Sequence, residues 1–195
     1  MGNRRSQAQR TEETRGKIVG AVVESIHEVG LPRTTAAEVA RRAGVTWGAV
    51  QHHFGGKSGM LDAVLEHSFD DFVASLGDLR ADEVLLPDRI DQFVERAWAH
   101  FRSPLYRSTF EILLQSESGD AAWQARMLDA WDDVFRRIFF DSSLPRRRRL
   151  RLHHYTVSVL TGLASMLQLE GPTAKLGAGE LDLLKRSLET ELAGD

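Results

Sequence analysis

Apolar residues recur every three or four positions along most of the chain, which is the spacing of one face of an α-helix. The stripe that contains Ile18, Val22 and Ile26 is the first of these, and similar stripes follow as far as Leu192. No segment alternates apolar and polar residues between turn signals, so the pattern predicts no β-strand. The chain is therefore predicted to be all-α, with about nine helices.

Glycine and proline residues interrupt the stripes and give the bounds of the predicted helices. Gly30 and Pro32 end the first helix, and Gly171 and Pro172 end the eighth. The helices are predicted over 11–29, 35–43, 47–54, 57–76, 88–102, 105–116, 120–140, 146–169 and 180–192. The polar residues 1–10 are predicted to form a disordered arm before them.

Two short helices that meet at a glycine-containing turn carry the strongest functional signal. Thr35 and Glu38 have the spacing of a capping box at the start of the first of these helices, and Gly44 ends it. Thr46 caps the second helix, whose apolar inner face includes Val50. A braced second helix of this kind is what a helix-turn-helix needs in order to reach base edges in the major groove.

The outer face of the second helix carries small, polar and aromatic side chains. It includes Gly48, although a glycine inside a helix costs about 1 kcal/mol relative to alanine. Because a missing side chain lets the backbone approach DNA, we interpret this glycine as a functional constraint.

Charge is distributed unevenly along the chain, although the formal net charge is only −3. Residues 1–57 carry nine Lys and Arg and five acids, a net charge of +4. Residues 58–195 carry the other 16 bases and 23 acids, a net charge of −7. A basic head on an acidic body indicates either a polyanion-binding head or a solvated basic face without a partner.

Residues 34–57, TTAAEVARRAGVTWGAVQHHFGGK, resemble the DNA-binding domain of the TetR family. The shared features are a capped helix, an Ala-Gly-Val turn, a recognition helix of small residues, a His-Phe pair and a lysine three residues later. The resemblance implies a homodimeric, all-α repressor of two domains. These would be a helix-turn-helix DNA-binding domain over residues 1–57, which includes the arm, and a helical ligand-binding and dimerisation domain over 58–195.

The resemblance also implies which residues contact DNA. Thr35 and Lys57 would hold phosphates, and the groove or its flanking phosphates would be contacted by Thr46, Trp47, Gly48, Gln51, His52 and His53. Gln51 stands where the family often has tyrosine, and Trp47 where a polar or basic residue is common. Glutamine can bind adenine bidentately and tryptophan can pack on a thymine methyl group, so the base preference of better-known members does not transfer.

Aromatic residues at helical spacing in the body could line a ligand cavity or form an ordinary core. The resemblance implies a small-molecule site, whose predicted walls are Trp98, Phe101, Tyr106, Phe110, Trp123, Met127 and Trp131. Glu111 lies among apolar residues, where it could orient a ligand, cap a helix or pair with Arg107. The effector is predicted to be small and largely apolar, and no cofactor is predicted.

The segment 155–169 is apolar on nearly all sides, so it must be covered on more than one face. Its small residues Ser158, Gly162 and Ser165 permit the close approach of another helix, either of the same chain or of a second copy. We predict a homodimer interface between this helix and the last one, which contributes Leu181, Leu184 and Leu188.

Composition argues against several other classes of function. The chain has no cysteine, which excludes disulfide scaffolds, thiolate metal sites and cysteine nucleophiles. His52–His53 and His153–His154 are poor metal sites, because adjacent helical side chains point about 100° apart, and the second pair is predicted to be structural. No nucleophile motif or phosphate-binding loop occurs, so no catalytic residue and no metal ligand is predicted.

Two further features bear on location and charge. No apolar run reaches the ~20 residues of a membrane span and no secretory signal occurs, so a cytoplasmic protein without membrane contact is expected. The basic run Arg146–Arg149 is predicted to pair with Asp132, Asp133 or Asp141, and a second anion contact is the alternative.

The residues and the resemblance together predict a homodimeric transcriptional repressor that binds double-stranded DNA and responds to an unidentified small-molecule effector. One alternative is a DNA-binding architectural protein without a ligand sensor, which leaves the aromatic body without a purpose. Another is an enzyme with a basic N-terminal extension, for which convergent catalytic groups are lacking.

Overall fold

The computed structural model describes residues 7–79, 84–115, 121–139, 144–171 and 176–193, without the side chains of 121–124 and 126. All regular structure in these ranges is helical, and none of their residues lies in a β-strand. The predicted all-α fold, with an N-terminal helix-turn-helix and a helical C-terminal part, is confirmed.

Nine α-helices and one 3₁₀ turn follow one another in the described part of the chain. In order they are α1 (Gln7–Val29), the 3₁₀ turn (Leu31–Arg33), α2 (Ala36–Ala43), α3 (Trp47–Phe54), α4 (Lys57–Ser75), α5 (Leu86–Phe101), α6 (Pro104–Gln115), α7 (Ala121–Ile138), α8 (Arg146–Glu170) and α9 (Ala178–Ala193). The predicted bounds of α2 to α9 lie within two residues of these bounds. The predicted ends at residues 116, 120 and 140 lie outside the described residues.

The start of the chain differs from its prediction in two places. α1 begins at Gln7, so residues 7–10 of the predicted arm are helical, and residues 1–6 lie outside the described part. Glutamine, alanine and arginine are good helix formers, which allows α1 to continue beyond its apolar stripe. The 3₁₀ turn was not predicted because Pro32 indicates a break, yet proline is compatible with the first turn of a helix.

Packing divides the chain into two compact units, and the first contains the described residues 7–71 and 103–115. It therefore takes α6 from the middle of the chain in addition to α1, α2, α3 and most of α4. α1 packs against α2, α6 and the 3₁₀ turn, and α2 packs against α3. Ile18, Val22 and Val39 are fully buried in this core. The predicted boundary after residue 57 separates a DNA-binding domain from a ligand-binding domain by function and not by packing, so it stays a prediction.

The second unit contains the described residues of 72–102 and 117–195. In it α5 packs against α8 and α9, and α7 packs against α8. The ring of Phe93 meets those of Phe135 and Phe139 edge to face, at centroid distances of 5.7 and 5.6 Å. Such pairs contribute about 0.5–1.5 kcal/mol beyond their burial, so they help to fix α5 against α7.

The basic start of α8 is bound to its neighbours by ion pairs. Arg149 Nε and Nη2 donate to the carboxylate of Asp132 at 2.9 and 3.0 Å, and Nη1 donates to the carbonyl oxygen of Leu144 at 2.7 Å. The Arg149 guanidinium lowers the pKa of Asp132 below its ordinary value. Arg148 pairs with Glu191 of α9 at 2.9 Å. The predicted pairing of the basic run with Asp132 is therefore confirmed.

One histidine of α8 is buried against an aromatic ring of α7. The imidazole of His153 stacks on the indole of Trp131, with a centroid distance of 4.5 Å and an interplanar angle of 27°. Burial, with a smaller effect of His154, lowers the pKa of His153 from 6.5 to about 4. His153 is therefore neutral at neutral pH.

The free energy of unfolding should fall as the pH falls from 6.5 to 4, because the unfolded chain binds a proton at His153 that the folded chain does not. The part of this loss that is due to His153 is on the order of 3 kcal/mol. His153→Phe keeps a ring on Trp131 and removes the titrating group, so it should flatten the pH dependence. Urea unfolding between pH 4 and 7 measures this, with His154→Phe at the exposed neighbour as the matched control. Equal pH dependence of the His153→Phe variant and the unmodified chain would contradict the assignment.

Candidate DNA interface

α2 and α3 are short helices whose starts and ends are fixed by caps. Thr35 Oγ1 accepts a hydrogen bond from the Glu38 amide at 3.3 Å, and Thr46 Oγ1 accepts one from the Ala49 amide at 3.1 Å. Between the helices Gly44 has φ 65° and ψ 33°, a left-handed conformation that favours glycine. The predicted capping threonines and the glycine turn are confirmed.

α3 has the two faces that its sequence predicts. Val50 is fully buried, whereas Trp47 at the first position of the helix is 49% exposed. Gly48, Gln51 and His52 are exposed as well. An indole half in solvent is unusual for so large an apolar side chain, so this face is available for contact with another molecule.

Gln51 already makes a hydrogen bond within its own turn. Its Nε2 donates to the carbonyl oxygen of Gly55 at 3.0 Å, where α3 ends. A side-chain amide has two N–H groups and an acceptor oxygen, so Oε1 and the second N–H can still meet a base edge. The contact with Gly55 thus fixes the direction of a side chain that is predicted to bind adenine.

Arg15 of α1 holds the end of α3, and no sequence motif indicated this residue. Its Nη1 donates to the carbonyl oxygen of His53 at 3.0 Å, and its guanidinium carbon lies 4.7 Å from the centroid of the Phe54 ring. A cation at the C-terminal end of a helix also interacts favourably with the helix dipole. The side chain of His53 itself is half-buried.

The connection between α1 and α2 is held from two sides at Leu31. The Leu31 amide donates to Glu111 Oε1 at 2.7 Å, and the Leu31 carbonyl oxygen accepts from Lys57 Nζ at 3.3 Å. We call these three residues the Leu31 clamp. Glu111 lies on α6 and Lys57 is the first residue of α4, so the clamp joins three segments of the first unit.

The clamp bears on two of the predicted site residues. For Glu111 the observed contact is the capping alternative, since it satisfies the first amide of the 3₁₀ turn, and a ligand role stays a prediction. Lys57 is exposed and was predicted to hold a phosphate. An ammonium group has three donors, so one hydrogen bond to Leu31 leaves two for a phosphate oxygen.

α3 and α4 come into close contact at Gly59. A Cβ atom added at this residue would lie 1.9 Å from the carbonyl oxygen of Phe54, far inside van der Waals contact. The end of α3 therefore packs on the backbone of the first turn of α4, and only glycine fits there. Nothing in the residue pattern distinguishes this glycine from the others.

Four charged residues brace α2 against α1. Arg42 donates to Glu28 of α1 at 2.6 Å and to Glu38 at 2.7 Å, and Arg41 donates to Glu38 at 2.8 Å. The guanidinium groups of Arg41 and Arg42 lower the pKa of Glu38 to about 2. The second half of the predicted capping box is wrong, because the Glu38 carboxylate binds these two arginines and not the amide of Thr35.

The predicted ligand-binding residues are divided between the two units. Trp98 and Phe101 are buried on α5 in the second unit, and the half-buried Trp131 lies on α7 of the same unit. Phe72 connects two of them, since its ring centroid lies 6.4 Å from that of Phe101 and 4.9 Å from that of Trp131. The structure thus brings Phe101 and Trp131 into one aromatic cluster.

The other predicted ligand residues lie elsewhere. Tyr106, Phe110 and Glu111 are on α6 in the first unit, where the rings of Tyr106 and Phe110 are nearly parallel with centroids 6.4 Å apart. Met127 is half-buried on α7. The side chain of Trp123 lies outside the described part. Contact of any of these residues with a ligand stays a prediction.

Exposure separates the predicted dimer residues into two groups. Ser158 and Gly162 are exposed on α8, whereas Ser165 is half-buried and donates to the carbonyl oxygen of Thr161 at 2.8 Å. Three leucines of α9 need a correction, because they are buried within the single chain and cannot face a partner: Leu181, Leu184 and Leu188. In the second unit α9 packs against α5 and α8. The core of the protomer therefore covers the leucine stripe of α9.

Other apolar residues of α8 and α9 remain uncovered in the single chain. Tyr155 and Met166 are each 43% exposed, Leu169 is 81% exposed, and Leu183 of α9 is 59% exposed. On α8 the three residues share one helical face with Ser158 and Gly162, because their spacing is three or four residues. This exposed apolar face could not be told from the buried one by sequence periodicity.

The histidine pair of α3 shows no sign of a metal site. The rings of His52 and His53 meet edge to face with centroids 5.3 Å apart. Across the described ranges, no group of three or more His, Asp or Glu side chains is placed to hold a metal ion. Nor is any helix in the part of the chain that the structure describes long and apolar enough to cross a membrane.

Comparison with known proteins places the helix-turn-helix in a family. Residues 18–64 match the family model of the bacterial regulatory proteins of the tetR family. The HTH-type transcriptional regulator BetI of Burkholderia ambifaria (strain MC40-6) is 29% identical over 145 residues. Residues 18–64 are therefore a helix-turn-helix domain of the TetR family. The alignment covers 73% of this chain and 65% of the Burkholderia regulator, so this chain spans just under two thirds of that relative's length.

Solved structures of TetR-family proteins share the fold of the whole chain. A TetR-family regulator from Haemophilus influenzae has a TM-score of 0.68 at 16% identity, over 95% of this chain and 97% of the other. The SmeT protein in its complex with triclosan has a TM-score of 0.63 at 25% identity, over 89% and 90% of the two chains. The relatives in these comparisons are transcriptional regulators and not enzymes.

Arg15→Ala should loosen the end of α3, because it removes a charge-assisted hydrogen bond to His53 and a cation over the Phe54 ring. Such contacts contribute about 1–3 kcal/mol together, so the amide hydrogens of residues 51–54 should exchange faster. Hydrogen exchange read by mass spectrometry or NMR measures this. Lys17→Ala is the matched control, since it removes one positive charge from an exposed position of the same helix. Equal exchange of α3 in the two variants would mean that Arg15 does not position it.

Proposed function

We propose that this chain is a homodimeric transcriptional repressor that releases a palindromic operator when a small, largely apolar effector binds. The observation that carries the proposal is the exposed face of α3, where Trp47, Gly48 and Gln51 stand on a helix fixed at both ends. The similarity to a protein described as an HTH-type transcriptional regulator supports the proposal.

On DNA, phosphate contacts and base contacts would come from different residues. Thr35 and Lys57 would bind phosphates, which fixes the position of α3 but carries no sequence information. Gln51 would hydrogen-bond a base edge, and Trp47 would pack on a thymine methyl group. Gly48 would allow the backbone of α3 to approach the groove. Thr46, His52 and His53 would contact the groove or its flanking phosphates.

A homodimer would present two copies of α3 to successive major grooves, with half-sites about 10 bp or more apart. The exposed residues of α8 and α9 are the surface that we assign to the partner, in place of the buried leucines of α9. Ser158 and Gly162 allow close approach, and Tyr155, Met166 and Leu183 supply apolar area.

The effector would bind in the second unit, at the aromatic cluster that contains Phe101 and Trp131. The structurally similar SmeT protein forms a complex with triclosan, which supports a small-molecule site in a chain of this fold. A ligand can release DNA only if it prefers a state in which the recognition helices are wrongly placed for the operator. α4 runs from Lys57 into the residues of the second unit, so one continuous helix is shared by both units.

Selection of bound sequences from random DNA, followed by binding measurements on variants, tests the proposed operator recognition. Gln51→Ala should relax specificity at one base pair and cost about 1–3 kcal/mol per half-site. Lys57→Ala should weaken binding to all sequences and reduce the slope of log K against log salt by roughly 0.9 per subunit. The salt slope separates a lost phosphate contact from a loosened Leu31 clamp. Equal losses on every sequence for Gln51→Ala would refute base readout, and an unmodified chain without sequence preference would favour the architectural alternative.

Gly48→Ala and Gly20→Ala form a matched pair, because both glycines are exposed and helical and neither Cβ position is crowded. Both substitutions should raise the free energy of unfolding, by up to about 1 kcal/mol. Only Gly48→Ala should weaken operator binding, by about tenfold or more, because its methyl group would separate the backbone from DNA. Fluorescence anisotropy of labelled operator measures the affinity. Unchanged operator affinity of Gly48→Ala would rule out close backbone approach at this position.

Gly162→Leu should dissociate the dimer and reduce operator affinity without unfolding the protomer. The new side chain meets nothing of its own chain within 4 Å at Cβ, but it would separate two helices that cross at this point. Sedimentation velocity gives the oligomeric state, and Gly16→Leu on the exposed face of α1 is the control. An unmodified chain that is fully monomeric and still binds its operator tightly would exclude the proposed dimer.

A further inference from the structure

His153 of α8 is a buried histidine without a hydrogen-bond partner. Its residue surface is 6% exposed, and neither Nδ1 nor Nε2 has a partner within the described residues. Its contacts are instead ring contacts, with Trp131 on one side and with the adjacent His154. Buried polar atoms are hydrogen-bonded in nearly all proteins, so two unpaired nitrogens on one ring require an explanation.

Thr156 lies one helical turn further along α8 and presents the same difficulty. It is 2% exposed, and its Oγ1 also has no partner among the residues that the structure describes. Residues three apart lie on the same face of a helix, so the hydroxyl of Thr156 and the imidazole of His153 point to the same side. α8 thus presents three unpaired polar atoms from one buried face.

The surroundings of His153 in the second unit are aromatic. Trp131 stacks on His153, and the Trp131 ring is followed by Phe72 at a centroid distance of 4.9 Å. Phe72 in turn contacts His100 at 5.0 Å and Phe101 at 6.4 Å. Aromatic side chains around a few polar groups are typical of the lining of a small-molecule site.

The polar groups select the chemistry of the ligand. The imidazole is neutral at neutral pH, because burial lowers the pKa of His153 to about 4, so it has one N–H donor and one nitrogen acceptor. Arg149, one helical turn before His153, is paired with Asp132 of α7. A neutral group that both donates and accepts a hydrogen bond can pair with the acceptor nitrogen of His153 and with the hydroxyl of Thr156, and a hydroxyl is the simplest such group.

We propose that His153 and Thr156 bind the hydroxyl group of an aromatic effector whose ring packs against the cluster of Trp131 and Phe72. The ligand hydroxyl would donate to the unprotonated imidazole nitrogen and accept from the Thr156 hydroxyl. The inference rests on the proposed function and deepens it, because it names the class of the effector and the two residues that select it. A buried water that bridges the same imidazole nitrogen and the Thr156 hydroxyl is the competing occupant.

Phenol and toluene test this directly, because they differ only in a hydroxyl group against a methyl group of similar size. Calorimetric titration of the full chain, without DNA, should show phenol binding at least about tenfold more tightly than toluene. His153→Phe and Thr156→Val remove the polar atoms and nearly conserve shape, so each should reduce this preference and the double variant should abolish it. Circular dichroism checks that the variants are folded. If His153→Phe does not fold, the loss of preference for phenol in Thr156→Val alone still tests the proposal.

A second measurement locates the probe at the histidine itself. The ¹⁵N shifts of the His153 ring, assigned by their loss in His153→Phe, should change on addition of phenol and remain unchanged with toluene. Equal affinity for both probes, no binding of phenol, or unchanged His153 shifts would each overturn the proposal and leave water as the occupant. These assays contain no operator, so a failed repressor function leaves their result intact. A chain that binds its operator but not phenol refutes this inference alone.

Discussion

The Leu31 clamp is the constraint on which the arrangement of the first unit depends. The connection between α1 and α2 is buried at Leu31, and a buried peptide group without partners is costly. Glu111 satisfies its amide and Lys57 satisfies its carbonyl, so α6 and α4 are both attached to the start of the helix-turn-helix. Gly30 is part of this constraint, because its φ of 80° is a conformation that other residues rarely adopt.

A few backbone contacts then position α3 relative to α1, α2 and α4. Gly44 sets the turn from α2, Gly59 lets the end of α3 rest on α4, and Arg15 of α1 binds the carbonyl oxygen of His53. Several basic residues in the head thus form hydrogen bonds or ion pairs within the fold, and part of the +4 charge stabilises the protein itself. The exposed side chains of α3 stand on a rigid support, as a surface that reads DNA by shape and hydrogen bonds requires.

Local patterns in the sequence were sufficient for the elements and for the faces of α3. Periodicity, caps and glycines depend on residues a few positions apart, and α2 to α9 were predicted to within two residues. The contacts of Arg15 with His53 and of Leu31 with Glu111 span 38 and 80 residues, and no local signal encodes them. The leucines of α9 were assigned to a dimer because an apolar stripe looks the same whether its own chain or a partner covers it. Burial in the folded chain decides between these two cases.

The absence of cysteine makes one measurement especially direct, because a single introduced thiol reports on one position. His52→Cys places it on the exposed face of α3, and Gly20→Cys places it on an exposed position of α1. The alkylation rate of each thiol is measured with and without selected operator DNA. If α3 enters the groove, the operator should slow alkylation at position 52 by about tenfold or more and leave position 20 unchanged. Unchanged alkylation at position 52 on fully bound operator would contradict the account.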